Sequence, residues 1–357
     1  IKGFLLNDMV ISEGLMNFFH RQLRALATPA LAFGVATVIA ALLLWCSGYD
    51  VLPAFAALVN GAFGSTYALA ETLVRATPLL LTGLAVAFAF RAGVWNIGAE
   101  GQLLIGALTA IAVASLLASL PAYVGFFLLL LCSMGAGAMW ASLAGWMKFQ
   151  RQVPEVVSTI LLNFIALELV RYAVNGPLME AAGNFPQTET LAPELRLARW
   201  LTPTRLHAGV LCAPFVALLV QVMLTRTAFG FNLRATAANA TAARFAAVNV
   251  PRIQLLSMAF SGALAGLAGA MELTGVTYRM YQNFSPGYGY TAIAVALMAR
   301  LHPLALIATA LLFGALENGA LAMQRQANVS AVLVNMMQGV VVLTIAVAGA
   351  LELKRKT

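Results

Sequence analysis

The sequence predicts an all-α protein that crosses a membrane with about ten helices. Of its 357 residues 61% are hydrophobic and 10% are charged, and the mean hydropathy is +0.87. A soluble chain of this length would carry roughly 90 charged residues, whereas this one has 21 basic and 13 acidic residues. Because one membrane-crossing helix needs about 20 apolar residues, the apolar content is sufficient for roughly ten crossings.

Ten apolar segments follow one another along the chain, and each of them predicts a helix. They cover residues 28–47, 72–90, 97–118, 122–147, 155–175, 207–225, 253–275, 290–299, 303–323 and 331–349. The eighth, at about ten residues, is too short to cross as a regular helix. Since it follows the turn-rich residues 284–289, we expect a half-helix or a strongly tilted helix. Such a break at membrane depth must be covered by protein or line an aqueous cavity, so this region is a candidate for a pathway.

The basic residues predict the orientation of the chain. With the N-terminus inside, fourteen Lys and Arg residues lie inside and seven outside, and all four lysines lie inside. This agrees with the positive-inside rule. We therefore expect a multi-pass protein in contact with the lipid bilayer, with both termini in the cytoplasm. Residues 1–27 form the predicted cytoplasmic N-terminal segment, residues 28–350 a single transmembrane domain, and residues 351–357 a cytoplasmic tail.

Two connecting segments are longer than a simple connection requires. The predicted extracytoplasmic loop, residues 176–206, contains four prolines and the short amphipathic stretch 194–200. The predicted cytoplasmic loop, residues 226–252, is rich in alanine, which favours helix. It is too polar to cross the membrane, so we expect a short helix parallel to the membrane with Arg234 and Arg244 exposed.

Several motifs of enzymes are absent from the sequence. None of the four lysines follows a glycine, so the chain has no Walker motif and does not hydrolyse ATP itself. It also lacks a serine nucleophile elbow and an HExxH zinc motif. The three cysteines and three histidines are scattered, which predicts neither a metal site nor a disulfide framework. The longest basic run is 354–356, so nucleic acid is not an expected partner. We expect no enzyme and no bound cofactor.

The most distinctive stretch is residues 90–102, FRAGVWNIGAEGQ. Asn96 and Glu100 are four residues apart and would share one face of a helix. Glu100 begins a long apolar run, where a carboxylate needs a partner or an aqueous cavity. The alternative is a simple turn with an interfacial tryptophan, Trp95.

The run GVWNIGAEGQ strongly resembles the permease subunits of ATP-binding-cassette (ABC) importers for nucleosides and simple sugars. Three further stretches match in order, residues 153–166, 229–250 and 284–318, and the likeness covers about residues 70–350. The resemblance implies a type II importer-like fold in which two permeases dock on two cytoplasmic ATPases, which bind ATP-Mg. It also implies an extracytoplasmic substrate-binding lipoprotein and a location in a bacterial inner membrane, and the habit of the family favours a paralogue as the second permease.

By this resemblance the 229–250 stretch is the coupling helix that sits in a cleft of the ATPase. The residues that we expect to couple are Phe229, Gly230, Arg234, Asn239 and Arg244. The chain departs from the family pattern at Ala238 and Ala247, where such sequences usually carry glycine.

Polar residues within the predicted spans are candidates for the substrate pathway. They are Asn96, Glu100, Ser158, Thr159 and Asn163, together with the neighbouring Phe164, which could stack on a base or a sugar. The alternative is that the polar side chains hydrogen-bond one helix to another. No strong charge cluster is expected along the path, which favours a neutral, hydroxyl-rich substrate. The function predicted is import of nucleosides or related simple sugars; the alternative is an ion-coupled secondary transporter of a small neutral polar solute.

Overall fold

The computed structural model describes residues 31 and 33–354, and its regular structure there is helical. The helices are α1 (Phe33–Cys46), α2 (Val51–Phe63), α3 (Thr66–Phe90), α4 (Ala99–Leu117), α5 (Ala122–Arg151), α6 (Glu155–Asn175), α7 (Gly209–Arg226), α8 (Ala228–Ala238), α9 (Ala240–Phe245), α10 (Val250–Glu272), α11 (Tyr288–Met298), α12 (Ala305–Gln326) and α13 (Ala331–Lys354). A π-helical turn, Leu273–Thr277, continues α10. Within the described residues, seven helices are long and apolar enough to cross a membrane.

The predicted fold class is confirmed, with ten as an approximate number of helices. Nine of the ten predicted segments coincide with α3 to α7 and α10 to α13. The first segment overlaps α1, but residues 28–30 and 32 lie outside the described residues, as do the predicted N-terminal segment 1–27 and residues 355–357 of the tail. Helix α2 was not predicted, because its 13 residues are too few for a regular crossing.

The described chain divides into two compact units, and the larger one spans Ala56–Ala322. The smaller unit includes α1 and α13, and each of these helices buries one stripe. In α1 the stripe is Ala36, Ala40 and Leu44, at the four-residue spacing expected of one helix face.

Helix α10 packs against α3, α4 and α5 at the centre of the larger unit. Glycines allow these helices to approach closely, as expected for membrane helices. A Cβ atom on Gly262 of α10 would collide with the carbonyl oxygen of Gly137 in α5, and one on Gly106 of α4 would collide with the backbone of Gly266. The core is therefore assembled by contacts between backbones.

The alanine-rich segment 226–252 forms two helices rather than the one expected. The break falls at Asn239, whose backbone is extended (φ −159°) and whose side-chain Oδ1 accepts a 3.0 Å hydrogen bond from the Ala242 N–H. Thr227 caps α8 and Asn249 caps α10 in the same way. An N-cap satisfies a backbone N–H that would otherwise have no partner, so three consecutive helices each start at a defined residue.

The long loop, residues 176–208, packs on the residues that follow α10. Thr188 N–H donates to the Met280 carbonyl (2.9 Å) and Leu191 N–H to that of Tyr278 (2.7 Å). In the amphipathic stretch 194–200, Leu195 is fully buried and Leu197 N–H donates to the Thr274 carbonyl (2.9 Å). This stretch is thus held by the protein itself. We call this side of the larger unit the long-loop end.

Helix α11 agrees in length with the predicted half-helix. It has 11 residues and starts after Gly287, whose φ of +98° is a conformation that favours glycine. At 1.5 Å per residue it spans about 16 Å, roughly half of the hydrocarbon core.

Candidate functional site

Asn96 lies at the centre of a buried polar joint where the chain turns from α3 into α4. It is fully buried. Its Nδ2 donates to Gln102 Oε1 (3.0 Å) and to Ser261 Oγ (2.7 Å), while its Oδ1 accepts from Gly98 N (2.9 Å) and Gln102 Nε2 (2.9 Å). The amide therefore uses its full hydrogen-bonding capacity within the protein and connects α4 with α10.

Glu100 connects the first turn of α4 with the start of α11. Its side chain is buried, and Oε2 accepts a 2.7 Å hydrogen bond from the Gly289 N–H. A carboxylate at a helix N-terminus meets unpaired N–H groups and the positive end of the helix dipole. A Cβ on residue 289 would collide with the backbone of Glu100, so this contact requires glycine. The sequence predicted that Glu100 needs a partner, and that partner is the N-terminus of the half-helix α11.

Helix α6 supplies the remaining polar groups of the joint. Asn163 Oδ1 accepts from Gly101 N (2.8 Å), and its Nδ2 donates to the Ile97 carbonyl (2.9 Å). Thr159 Oγ1 accepts from Ile97 N (3.4 Å) and, like Ser158, donates to a carbonyl of its own helix. The structure therefore gathers Asn96, Glu100, Thr159 and Asn163 around residues 96–101.

Phe164 lies apart from the polar joint. Its side chain is 60% exposed, and it shares the outer face of α6 with the exposed residues Leu161 and Ile165. Of the six predicted pathway residues, Phe164 is thus the one with a large free surface. Whether any of the six contacts a substrate stays a prediction.

Phe229 and Gly230 anchor α8 to the helical core. The Phe229 ring lies 6.3 Å from that of Phe88 in α3 and 5.8 Å from that of Phe260 in α10. Gly230 is buried, and a Cβ there would collide with the carbonyls of α7. Two predicted coupling residues therefore face inward and fix α8 in place.

The outward surface of α8 and α9 combines positive charge with exposed aromatic rings. Arg234 and Arg244 are exposed, as the sequence predicted. Phe231 is 63% exposed and Phe245 is 90% exposed. Sequence reasoning missed these two phenylalanines, although a phenylalanine in an alanine-rich polar segment is itself a signal for an interface.

A third arginine lies close to this surface. Burial and the charge of Arg234 lower the pKa of Arg91, at the end of α3. Burial and the charge of Arg91 in turn lower the pKa of His302, which follows α11. Basic side chains from α3, α8 and the α11–α12 connection thus act on one another at this end of the larger unit.

The two alanines that depart from the family pattern differ in conformation. Ala238 is the last residue of α8 and needs no special backbone geometry. Ala247 has φ +61°, in the left-handed region. An L-residue with a Cβ is disfavoured there by about 1 kcal/mol relative to glycine. The chain therefore forms this left-handed turn with alanine at residue 247, although the conformation favours glycine.

Ala247→Gly is expected to stabilise the protein by about 1 kcal/mol, because glycine relieves the left-handed strain. The midpoint of thermal unfolding in detergent should rise by about 2 °C. Ala238→Gly is the matched control: it places glycine in helix and should not stabilise. A lower midpoint for Ala247→Gly would contradict the strain argument.

Five charged side chains cluster at the long-loop end: Glu71, Arg75, Arg205, Glu272 and Glu317. Arg205 Nε donates to both carboxylate oxygens of Glu71 at 3.1 Å, and burial of this pair leaves Glu71 almost inaccessible. Arg75 Nη1 lies 3.9 Å from Glu317 Oε2. Sequence reasoning missed the cluster because Arg205 and Glu71 are 134 residues apart, and the loop that carries Arg205 gave no sign of its fold.

His207 is buried beside this cluster in a neutral form. Burial, together with the charges of Arg199 and Arg205, lowers its pKa to about 4. Its Nδ1 accepts from the Gly209 N–H at 3.1 Å, so the proton is on Nε2. The ring fills the space beside Gly275, where a Cβ would collide with it.

Comparison with known proteins defines the class. Residues 68–346 match the family described as branched-chain amino acid transport system / permease component. The chain is 35% identical to the guanosine ABC transporter permease protein NupP of Bacillus subtilis strain 168, over 93% of this chain and 96% of that one. It is also 35% identical to the glucose ABC transporter permease protein TsgB13 of Haloferax volcanii, over 89% of this chain and 86% of that one. A second guanosine permease protein of B. subtilis, NupQ, is 27% identical over 68% of this chain and 78% of its own length. No solved structure matches the chain.

The helical fold and these matches define the chain as a membrane permease of the ABC transporter class. The chain belongs to the branched-chain amino acid transport system / permease component family, which confirms the resemblance seen in its sequence. Permeases of this class associate with ATPase and substrate-binding partners and are not themselves enzymes, so the prediction that this chain is not an enzyme is confirmed. The chain is thus a multi-pass membrane protein.

Proposed function

We propose that this chain is a permease subunit of an importer that moves nucleosides or related simple sugars into a bacterial cytoplasm. The observation that carries the coupling part is the α8–α9 segment, fixed to the core by Phe229 and Gly230 and exposing Arg244 and Phe245. A coupling element must be rigid to transmit a push. Guanosine and glucose, which the names of two relatives specify, are both neutral and rich in hydroxyl groups, which supports this substrate class.

The partners proposed are a cytoplasmic ABC ATPase that binds ATP-Mg, a second permease, and an extracytoplasmic substrate-binding lipoprotein. One organism has two guanosine permease proteins, to which this chain is 35% and 27% identical. That inequality supports a paralogue as the second permease. In the proposed orientation α8, α9 and both termini are cytoplasmic, and the long-loop end is extracytoplasmic.

The substrate pathway is proposed to pass the face of α6 that presents Phe164. Four of the predicted pathway residues are already hydrogen-bonded within the protein: Asn96, Glu100, Thr159 and Asn163. Their proposed role is therefore to hold α4, α6 and α11 together at the edge of this pathway. Ser158 contributes a bond within α6. Weak contacts suit a permease, since a tight site would retain its cargo.

Arg244→Glu tests the coupling part of the proposal. In proteoliposomes that contain the complete complex, ATP-driven guanosine uptake should fall to background, because charge reversal would oppose acidic groups on the ATPase. Arg151→Glu is the control: Arg151 is also exposed at this end of the larger unit, and reversal of its charge should leave uptake intact. Normal uptake by Arg244→Glu would remove Arg244 from the coupling surface. Uptake that needs an ion gradient but no ATP would instead establish the secondary transporter.

A further inference from the structure

The charge cluster at the long-loop end contains a carboxylate without a hydrogen-bond partner. Glu272 is only 7% exposed, and its carboxylate makes no hydrogen bond within residues 31 and 33–354. Yet the charges of Arg205, Arg75 and Glu71 all act on it. A buried polar group with no partner is costly and calls for an explanation.

Three other groups around Glu272 have unused hydrogen-bonding capacity. Arg75 Nε and Glu317 Oε2 are buried without a partner in the described part of the chain. Tyr288, at the start of α11, is 4% exposed and lies within electrostatic range of both Glu272 and Glu317; its hydroxyl likewise has no hydrogen-bond partner among the described residues. Two donors and two acceptors in one cluster thus have hydrogen-bonding capacity that the described residues do not use.

This combination of groups selects the chemistry of the ligand. A cation would satisfy the carboxylates but would leave the Arg75 and Tyr288 donors without a hydrogen-bond acceptor. A neutral solute with adjacent hydroxyl groups can donate to Glu272 and Glu317 while it accepts from Arg75 and Tyr288. Hydrogen bonds to charged groups are about twice as strong as neutral ones, which gives discrimination between hydroxyl patterns.

The cluster is partly exposed. Arg205 has a side chain that is 35% exposed, and those of Arg75 and Glu317 are 20% and 17% exposed. Arg205 donates to Glu71, so its guanidinium already has a carboxylate as hydrogen-bond partner.

We propose that Glu272, Glu317, Arg75 and Tyr288 form a recognition site for the vicinal hydroxyl groups of the transported solute. This proposal rests on the proposed function, since it assigns residues to the substrate of that same importer. The site lies where a solute would arrive from the extracytoplasmic side, before it reaches the polar joint and the face of α6 that presents Phe164.

The test compares substrates that differ by one hydroxyl group. ATP-driven uptake of guanosine, 2′-deoxyguanosine and 3′-deoxyguanosine is measured in proteoliposomes with the complete complex, for the wild-type chain, Glu272→Gln and Tyr288→Phe. Each variant should reduce the efficiency of guanosine uptake by about tenfold. It should change uptake of the analogue that lacks its partner hydroxyl by less than about threefold. The binding protein is the same throughout, so its own preference cancels in the ratios.

Glu168→Gln is the matched control, because Glu168 forms an exposed ion pair with Arg171 of its own helix; its uptake ratios should equal those of the wild type. A loss that is equal for all three substrates, or no loss at all, would overturn the recognition site while the importer itself stands. A cation requirement that Glu272→Gln abolishes would also overturn it. If the wild-type complex moves no nucleoside or sugar, the proposed function fails instead.

Discussion

Phe245→Asp should detach the ATPase from the permease. Phe245 ends α9 with 90% of its side chain exposed, beside the exposed Arg244. A large aromatic side chain next to an arginine is typical of the residues that dominate a protein interface, where truncation costs about 2 kcal/mol or more. We therefore expect the affinity for the ATPase to fall by about thirtyfold or more, and transport to fall with it.

Copurification and ATP-driven uptake measure this effect. Phe245→Leu keeps an apolar side chain and should retain most of the ATPase, so it serves as the conservative control. The fold should be unaffected in both variants because the ring contacts so little of the chain; equal elution volumes and unfolding midpoints would verify this. Wild-type amounts of ATPase bound to Phe245→Asp would show that α9 is not part of the interface.

Gly137→Leu should prevent correct assembly of the core. Gly137 in α5 faces the backbone of Gly262 and Gly266 in α10, and a Cβ there would already collide with the Gly262 carbonyl oxygen. Overpacking a core usually costs about 1–3 kcal/mol. Here the obstacle is backbone rather than a movable side chain, so we expect about 3 kcal/mol or more, and a midpoint lower by about 6 °C or more.

Gly135 provides the control in the same helix, two residues away. It is exposed, and a Cβ added there has no neighbour within 4 Å. Gly135→Leu adds the same side chain at the same helix propensity, so its unfolding midpoint should change little. Equal midpoints for the two leucine variants, measured in detergent, would refute the role of glycine in bringing α5 and α10 together.

The sequence was sufficient for features that depend on local composition. Uninterrupted apolar runs located α3 to α7, and the short run after Gly287 located the half-helix α11. Asn96, Glu100 and Asn163 were recognised as groups that need partners, because an unpaired polar group is costly in a membrane. Which partners they have depends on tertiary packing, which joins Asn96 to Ser261 across 165 residues.

Other features could be found only from the three-dimensional structure. Phe229 and Phe231 are two residues apart in α8 and look equivalent in sequence, yet Phe229 packs on Phe88 while Phe231 is exposed. The two residues point to different faces of a helix with 3.6 residues per turn. The charge cluster was missed because four of its members lie on separate elements that meet only in the folded protein.

Helix α10 connects the proposed ATPase-binding surface with the proposed recognition site, and it can therefore act as a lever between them. Its 23 residues extend about 34 Å. One end follows α9, the helix of Arg244 and Phe245, and the other end carries Glu272. Near the middle of α10, Gly262 and Gly266 lie so close to α5 that a Cβ there would collide with the carbonyl oxygens of Gly137 and Ser133. This close contact is the point about which α10 would tilt. A tilt of about 5° imposed at Val250 would move Glu272 by roughly 1–2 Å in the opposite direction, enough to break a hydrogen bond to a bound solute. Movement of the ATPase at one end of α10 would then be transmitted directly to the site that releases the solute at the other end.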